Sequence, residues 1–231
     1  VVDERRLLAA ALKHGLGEVT PEGVRAEMSK LKLLEREEDS RRFVTTRKVL
    51  AEERRMIAYA ASGKGAVKPI TQDRPGWRDQ VANSGLSAEQ QSAVSHVLMS
   101  PDRVMILTGA AGSGKTTLTR EAVRQIKSAG RSVVMLAPSA QASRGVLRDE
   151  GFADADTLAR FLIDPRFQMT ARDGVIWLDE AGLVGSRTLG QLFDKAKELN
   201  ARVVLAGDKD QMHSVERGDA LRLLEQVAGL K

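Results

Sequence analysis

The chain has 231 residues, 42% hydrophobic and 29% charged, a composition typical of a globular protein large enough to bury a core. Its formal net charge of +5 at pH 7 is mildly basic, and aromatic residues make up only 3%, which argues against a binding surface of stacked rings. The lack of cysteine excludes disulfides and thiolate metal sites. No apolar run has the length of a membrane segment, so we expect a cytoplasmic location.

Residues 1–62 predict a small, mainly helical accessory domain, with a winged-helix-like arrangement as one form of it. A first helix is expected from Glu4 to Lys13, and Thr20-Pro21 starts a second helix whose apolar face includes Leu31 and Leu34. An acidic turn, a short strand and a third helix are expected next, at residues 37–39, 43–45 and 48–61.

Residues 63–85 are rich in glycine and proline and are expected to form a linker, with Trp77 anchoring it by packing. Residues 86–231 then alternate short apolar runs with helical stretches. Strands are expected at residues 104–107, 133–136, 175–178 and 203–205, and helices near 115–128, 140–149, 157–163 and 186–199. Runs that are apolar throughout are typical of strands covered on both faces, so the chain predicts an α/β fold with a parallel sheet.

A glycine-rich loop with the pattern G-x-x-x-x-G-K-[ST] follows the first of these strands and opens a helix. Backbone N–H groups and a helix N-terminus suit phosphate oxygens, Lys115 would place a charge on the β- and γ-phosphates, and the Thr116 hydroxyl would hold Mg²⁺. The motif therefore predicts ATP and Mg²⁺ as cofactors. The expected nucleotide contacts in this loop are Gly109, Ala110, Ala111, Gly112, Ser113, Gly114, Lys115, Thr116 and Thr117.

The third predicted strand ends in two acids, Asp179 and Glu180. Like charges side by side at the end of a buried strand are costly unless a cation offsets them. An acidic strand end that faces solvent is the simpler interpretation of the pair alone. Downstream of a phosphate loop, however, the pair predicts a magnesium ligand at Asp179 and a general base for the attacking water at Glu180.

Further segments follow in a characteristic order: Leu86–Val94, Ala137-Pro138-Ser139, Asp179-Glu180-Ala181-Gly182, and Gly207-Asp208-Lys209-Asp210-Gln211. With the phosphate loop, this order resembles the first RecA-like domain of superfamily 1B (RecD-like) DNA helicases, and within that group the helicase part of conjugative relaxase–helicases. The resemblance covers residues 86–231 and, more weakly, 1–62. It implies an ATP-driven enzyme that moves 5′ to 3′ on single-stranded DNA, from a bacterial conjugation system that plasmids commonly encode.

Two roles are open for Gln90. The resemblance implies that it is the glutamine that contacts adenine, whereas Ser87 and Gln90 also fit a capping box at the start of a helix. One side chain can hardly serve both roles at once, and the order of the motifs favours adenine.

The resemblance implies DNA contacts at Pro138, Ser139, Thr157 and His213. Gln141 stands where the family commonly has a basic residue, which weakens the expected contact after the second strand. A plain strand-to-helix turn at Ser139, a helix cap at Thr157 and a surface histidine at His213 are the alternatives.

The resemblance places a γ-phosphate sensor on Gln211, whose amide would couple the state of the nucleotide to movement. A helicase of this kind also needs a second RecA-like domain, which supplies arginines to the bound nucleotide. No such domain precedes Lys231. We therefore expect this chain alone to bind nucleotide weakly, to hydrolyse it very slowly and to unwind nothing.

Two other classes of protein compete with the helicase. Another kind of P-loop ATPase is disfavoured by the motifs around Gln90 and Gln211. A vestigial helicase-like module, which binds single-stranded DNA or a protein partner without hydrolysing ATP, should have lost at least one member of the catalytic set. That set is intact, with Lys115, Thr116, Asp179, Glu180 and Gln211 all present.

Overall fold

A computed structural model describes residues 2–109, 114–207 and 220–230 of the chain. The chain divides into two units, Val1–Arg55 and Met56–Lys231. Among the described residues, we find no helix that combines the length and the apolarity needed to cross a membrane.

The first unit holds two helices and a three-stranded antiparallel sheet in which β3 is the central strand. Thr20 caps the second helix and Pro21 occupies its first turn, as predicted. Asp39 and Ser40 both have positive φ, 49° and 60°, the geometry of a two-residue hairpin turn between β2 and β3. The elements are β1 (Val2–Asp3), α1 (Glu4–His14), α2 (Pro21–Lys30), β2 (Leu33–Glu38) and β3 (Arg41–Thr46).

Strand β2 corrects the expected extent of the second helix and the expected acidic turn at residues 37–39. The helix ends at Lys30, and residues 33–38 pair one by one with β3. Pairing gives this segment backbone partners on the neighbouring strand and brings Glu35 onto Arg42. These contacts exist only in the hairpin, so a helical period read from Leu31 and Leu34 could not anticipate them.

Helix α3 (Arg47–Ser62) confirms the third helix and runs across the division between the units. Met56 and Ala60, in its second half, are buried in the core of the larger unit. The division therefore lies inside this helix, earlier than residue 62.

The larger unit is built on a five-stranded parallel sheet with the order β4-β8-β7-β5-β6. All four predicted strands are present. The fifth, β6, was not predicted because two residues are too few to give a periodic signal. The strands are β4 (Val104–Thr108), β5 (Val133–Ala137), β6 (Asp156–Thr157), β7 (Val175–Leu178) and β8 (Arg202–Gly207).

Helices cover both faces of this sheet, as expected for strands that are apolar throughout. The helices are α4 (Trp77–Ala82), α5 (Ala88–Met99), α6 (Lys115–Ser128), α7 (Leu158–Ile163), α8 (Pro165–Met169), α9 (Ser186–Glu198) and α10 (Ala220–Gln226). A helix was expected near 140–149, and the structure has a π-helix there, Gln141–Leu147. The α/β class with a parallel P-loop sheet is confirmed.

The larger unit has two hydrophobic cores, one on each face of the sheet, and successive residues of β7 pack into different ones. Ile176 and Leu178 pack on the face covered by α7, α9 and α10, whereas Trp177 packs on the face covered by α4, α5 and α6. Trp77 is 3% exposed in this second core, as expected of an anchor. The segment 63–85 is thus anchored to this core through α4, which lies within it.

Candidate nucleotide site

The carboxyl ends of β4, β8 and β7 lie side by side at one edge of the sheet. The Gly109 N–H donates to the Gly207 carbonyl at 3.2 Å, which joins the ends of β4 and β8. Ligands of open parallel sheets bind at this edge. A pocket opens here, and its described lining includes Lys115, Thr116, Glu150, Asp179 and Glu180.

The described part of the phosphate loop has the geometry that its motif predicts. Gly114 has φ of 74° and precedes helix α6 directly, and a Cβ there would lie 2.4 Å from Nε2 of Gln90. Both the backbone angle and this close approach require glycine. The Lys115 Nζ donates to the Gly109 carbonyl at 3.0 Å, across the base of the loop. Residues 110–113 lie outside the described residues.

Two threonines follow the lysine, and the structure separates them. The Thr116 hydroxyl lies in the pocket and donates to Oε1 of Glu150 at 2.7 Å. Thr117 is exposed on α6 and does not line the pocket. Helical geometry turns consecutive residues about 100° apart, so the two side chains face different directions.

The acid pair stands at the end of β7. The Asp179 N–H donates to the Leu136 carbonyl at 2.8 Å, which continues the pairing with β5 by one residue. Burial raises the pKa of Asp179, against the opposing effects of the Glu180 N–H and the Lys115 charge. Burial and the neighbouring Asp179 charge raise the pKa of Glu180.

Glu180 also has φ of 51°, a conformation that is uncommon for a residue with a side chain. Such backbone angles persist where the surrounding structure enforces them, and they cluster at functional sites. Carboxyl groups with shifted pKa values that share a pocket are typical of a functional site.

Gln90 forms the capping box and also reaches the phosphate loop. The Ser87 N–H donates to Oε1 of Gln90 at 3.0 Å, and the Gln90 N–H donates to the Ser87 hydroxyl at 3.3 Å. On the other side of the amide, Nε2 donates to the Gly114 carbonyl at 3.4 Å. The two ends of one amide therefore serve the cap and the loop, which places Gln90 beside the pocket while it caps α5.

Three of the residues implied in DNA contact lie at the ends of β5 and β6. The Ser139 hydroxyl accepts the Ala142 N–H at 3.0 Å, and the Thr157 hydroxyl accepts the Arg160 N–H at 3.1 Å, so each caps the helix that follows it. Pro138 lines a groove with residues of α7 and α9, which adjoins the nucleotide pocket at Leu183, and Pro138 itself does not line that pocket.

A cluster of charges around Asp156 was not predicted. This aspartate is 1% exposed, and Arg144, Arg148 and Arg160 all bring their guanidinium groups to its carboxylate. Burial opposes its ionisation, but the Thr157 N–H and the arginines outweigh burial and lower the pKa of Asp156 to about 2. Arg144 and Arg148 are four residues apart and Arg160 lies in α7, and the sequence does not show that all three meet at one acid.

Glu150 lines the nucleotide pocket and was not predicted either. Its only signal is its place after a predicted helix and before Gly151. Gln211 and His213 lie outside the described residues. The structure therefore brings together Lys115, Thr116, Asp179 and Glu180, with Gln90 alongside.

Comparison with known proteins gives a family and several relatives. The AAA domain family matches residues 85–230. A probable conjugal transfer protein TraA of Sinorhizobium fredii is 33% identical over 150 residues, which cover 64% of this chain and 13% of that protein. The multifunctional conjugation protein TraI of Escherichia coli is 32% identical over 181 residues, which cover 74% of this chain and 10% of that protein.

A third relative is the ATP-dependent RecD2 DNA helicase of Deinococcus radiodurans. It is 31% identical over 158 residues, which cover 64% of this chain and 21% of the helicase. The chain thus spans only a small part of the length of each of these relatives.

Proposed function

We propose that this chain, which belongs to the AAA domain family and is the first RecA-like domain of a RecD-like helicase, holds ATP and Mg²⁺ for a motor that moves along DNA. The observation that carries the proposal is the convergence of two distant segments in one pocket. Lys115 and Thr116 begin α6, Asp179 and Glu180 follow β7, and all four line the same space.

The residues present fit a magnesium–nucleotide complex. Hydroxyl and carboxylate oxygens, from Thr116 and Asp179, are the hard ligands that Mg²⁺ prefers. The turn into α6 needs glycine at position 114, since φ is positive there and a Cβ would collide with the Gln90 amide. Lys115 supplies a positive charge where α6 begins, and the helix N-terminus adds its own partial charge.

Each side chain has a separate task in this proposal. Lys115 holds the β- and γ-phosphates through its ammonium group, which carries three donors. Thr116 and Asp179 hold the metal, which when bound neutralises charge on the phosphate oxygens. Glu180 accepts a proton from the attacking water, and its raised pKa favours that transfer.

Gln90 and Gln211 complete the nucleotide contacts that we propose. The Gln90 amide reaches the loop at Gly114 through its nitrogen while its oxygen serves the cap, which places it beside the pocket in which we propose that it contacts adenine. Gln211 is assigned the γ-phosphate on the strength of its motif alone.

Single-stranded DNA and a second RecA-like domain are the partners we propose for the longer protein. The relatives are named as conjugation proteins and a DNA helicase. Ser139 and Thr157 use their hydroxyl oxygens as cap acceptors, which leaves each hydroxyl hydrogen to donate to a DNA phosphate. Pro138 and His213 are proposed as their neighbours on the DNA path.

The test is a titration of this chain with a fluorescent ATP analogue, with and without Mg²⁺. We expect Mg²⁺-dependent binding that weakens by at least about tenfold in Lys115→Ala, a loss of about 1.4 kcal/mol. Lys127→Ala removes the same charge from an exposed position near the end of the same helix and should bind like the wild type. Equally poor binding by wild type and Lys115→Ala would replace the proposal with a module that binds DNA or protein without ATP.

A further inference from the structure

Glu150 lies in the nucleotide pocket but belongs to none of the motifs that define it. Its Oε1 accepts the Thr116 hydroxyl at 2.7 Å, so it contacts the residue to which the motif assigns the metal. The contact joins α6 to the segment that follows the π-helix, two parts of the chain that are distant in sequence.

The backbone holds Glu150 in this position. Its N–H donates to the Val146 carbonyl at 2.9 Å, and its carbonyl accepts Nε of Arg120 at 2.7 Å. Gly151, with φ of 97°, turns the chain away directly afterwards. Arg120 lies four residues after Thr116, one helical turn along α6. The same face of this helix therefore donates hydrogen bonds to both the backbone and the carboxylate of Glu150.

The direction of the hydrogen bond matters for the metal. A hydroxyl has one hydrogen and two lone pairs, and Thr116 gives its hydrogen to Glu150. The lone pairs are therefore left for a ligand on another side of the oxygen. Outer partners that fix a metal-binding group in this way are worth about 10- to 100-fold in metal affinity.

The negative charge of Glu150 also favours a cation in this pocket. The described lining of the pocket carries the carboxylates of Glu150, Asp179 and Glu180 against the ammonium of Lys115. A divalent cation relieves the repulsion between these groups.

We propose that Glu150 is a positioning residue for Mg²⁺, which orients the Thr116 hydroxyl toward the metal and adds an outer negative charge to its site. The inference rests on the proposed nucleotide function and deepens it. The opposite role would be inhibitory. In that role, the hydrogen bond from the Thr116 hydroxyl to Glu150 would have to break before Mg²⁺ could bind.

The two roles predict opposite effects on the Mg²⁺ concentration that half-saturates binding of the fluorescent ATP analogue. For Glu150→Ala we expect this concentration to rise about tenfold or more. Glu150→Gln should raise it less, because its amide oxygen still accepts the hydroxyl while the charge is gone. Binding measured in EDTA should be unchanged or tighter in both variants, since a negative charge near the phosphates has been removed.

Asp149→Asn is the matched control. Asp149 is the exposed acid next to Glu150 and does not line the pocket, so removing its charge should leave the Mg²⁺ half-saturation at the wild-type value. Thermal melting checks the fold of each variant, and Glu150→Gln decides the matter where Glu150→Ala is unfolded.

An unchanged or lower Mg²⁺ requirement in Glu150→Gln would overturn the positioning role. If Lys115→Ala still abolishes binding in the same assay, the nucleotide function stands without it. If the wild-type chain binds no analogue at any Mg²⁺ concentration, the nucleotide function itself fails and the role of Glu150 falls with it.

Discussion

Two aspartates, Asp156 and the partly buried Asp179, flank the same residue of the sheet, and their electrostatic surroundings are opposite. Asp156 is paired with Leu136 in the register of β6, and the Asp179 N–H donates to the Leu136 carbonyl from the other side. Three arginines surround Asp156 and its pKa falls to about 2, whereas burial raises the pKa of Asp179. A carboxylate neutralised by the protein stabilises the fold, and one left short of positive charge attracts a ligand.

The largest expected difference between the two is in stability. Asp156→Asn leaves the arginines without their shared carboxylate and should cost about 3 kcal/mol, at the low end for a buried ion pair because the arginines are partly exposed. Asp179→Asn should change stability by no more than about 0.5 kcal/mol, since it removes a charge that burial disfavours. Urea denaturation measures the free energy of unfolding of both variants. Equal losses of stability would contradict the difference between the two aspartates.

The contribution of Asp156 should also disappear in acid. Its pKa is lowered on folding, from 3.8 to about 2, so its ionised form stabilises the protein above about pH 4 and that stability is lost as the pH falls toward 2. The shift corresponds to about 2 kcal/mol. The free energy of unfolding is measured by urea denaturation from pH 6 down to pH 2.5. Over this range, the difference in that free energy between wild type and Asp156→Asn should decrease by most of this amount. A difference in unfolding free energy that stays constant with pH would contradict a lowered pKa of Asp156 in the folded protein.

Metal-dependent binding should reverse the ranking of the two aspartates. Asp179→Asn removes a proposed magnesium ligand and should weaken Mg²⁺-dependent binding of the ATP analogue by about tenfold or more, or about 1.4 kcal/mol. Asp156→Asn, tested at a temperature where it remains folded, should bind like the wild type because it does not line the pocket. A loss of similar size in both variants would show that Asp156 also supports the nucleotide site.

The smallest expected effect is the contribution of a single arginine of the Asp156 cluster to stability. Arg144→Gln removes one of three partners of Asp156, and its side chain is 49% exposed, so the cost should be about 0.5 to 1 kcal/mol. Arg166→Gln, an exposed arginine outside the cluster, is the control and should cost less. Thermal or urea denaturation distinguishes the two. A loss from Arg144→Gln as large as that from Asp156→Asn would mean that a single pair carries the cluster.

Much of the larger unit was predictable because its signals are local. The strands at residues 104–107 and 175–178 are continuous apolar runs, and such runs require burial on both faces wherever they occur. The phosphate loop was predictable for a similar reason. Its glycines, Lys115 and Thr116 must follow one another in the chain for the backbone to wrap around a phosphate.

The missed features depend on partners that are distant in sequence. Strand β2 was assigned in part to a helix, because its partner β3 supplies the contacts that decide its conformation. Gln90 offered two roles, and only the packing of α5 beside the loop showed that one amide faces both Ser87 and Gly114. Glu150 carries no motif, since its role comes from the approach of its segment to Thr116.

The sequence by itself determined the class of the fold, the order of strand and helix around the sheet, and the residue types available for phosphate and metal chemistry. These follow from local patterns of hydrophobicity and from spacing along one loop. Only the tertiary structure decided which charges meet. It placed three arginines on Asp156, left Asp179 with Lys115, and brought Glu150 to Thr116. The electrostatic energy of a buried group depends on its neighbours in space, and folding chooses those neighbours.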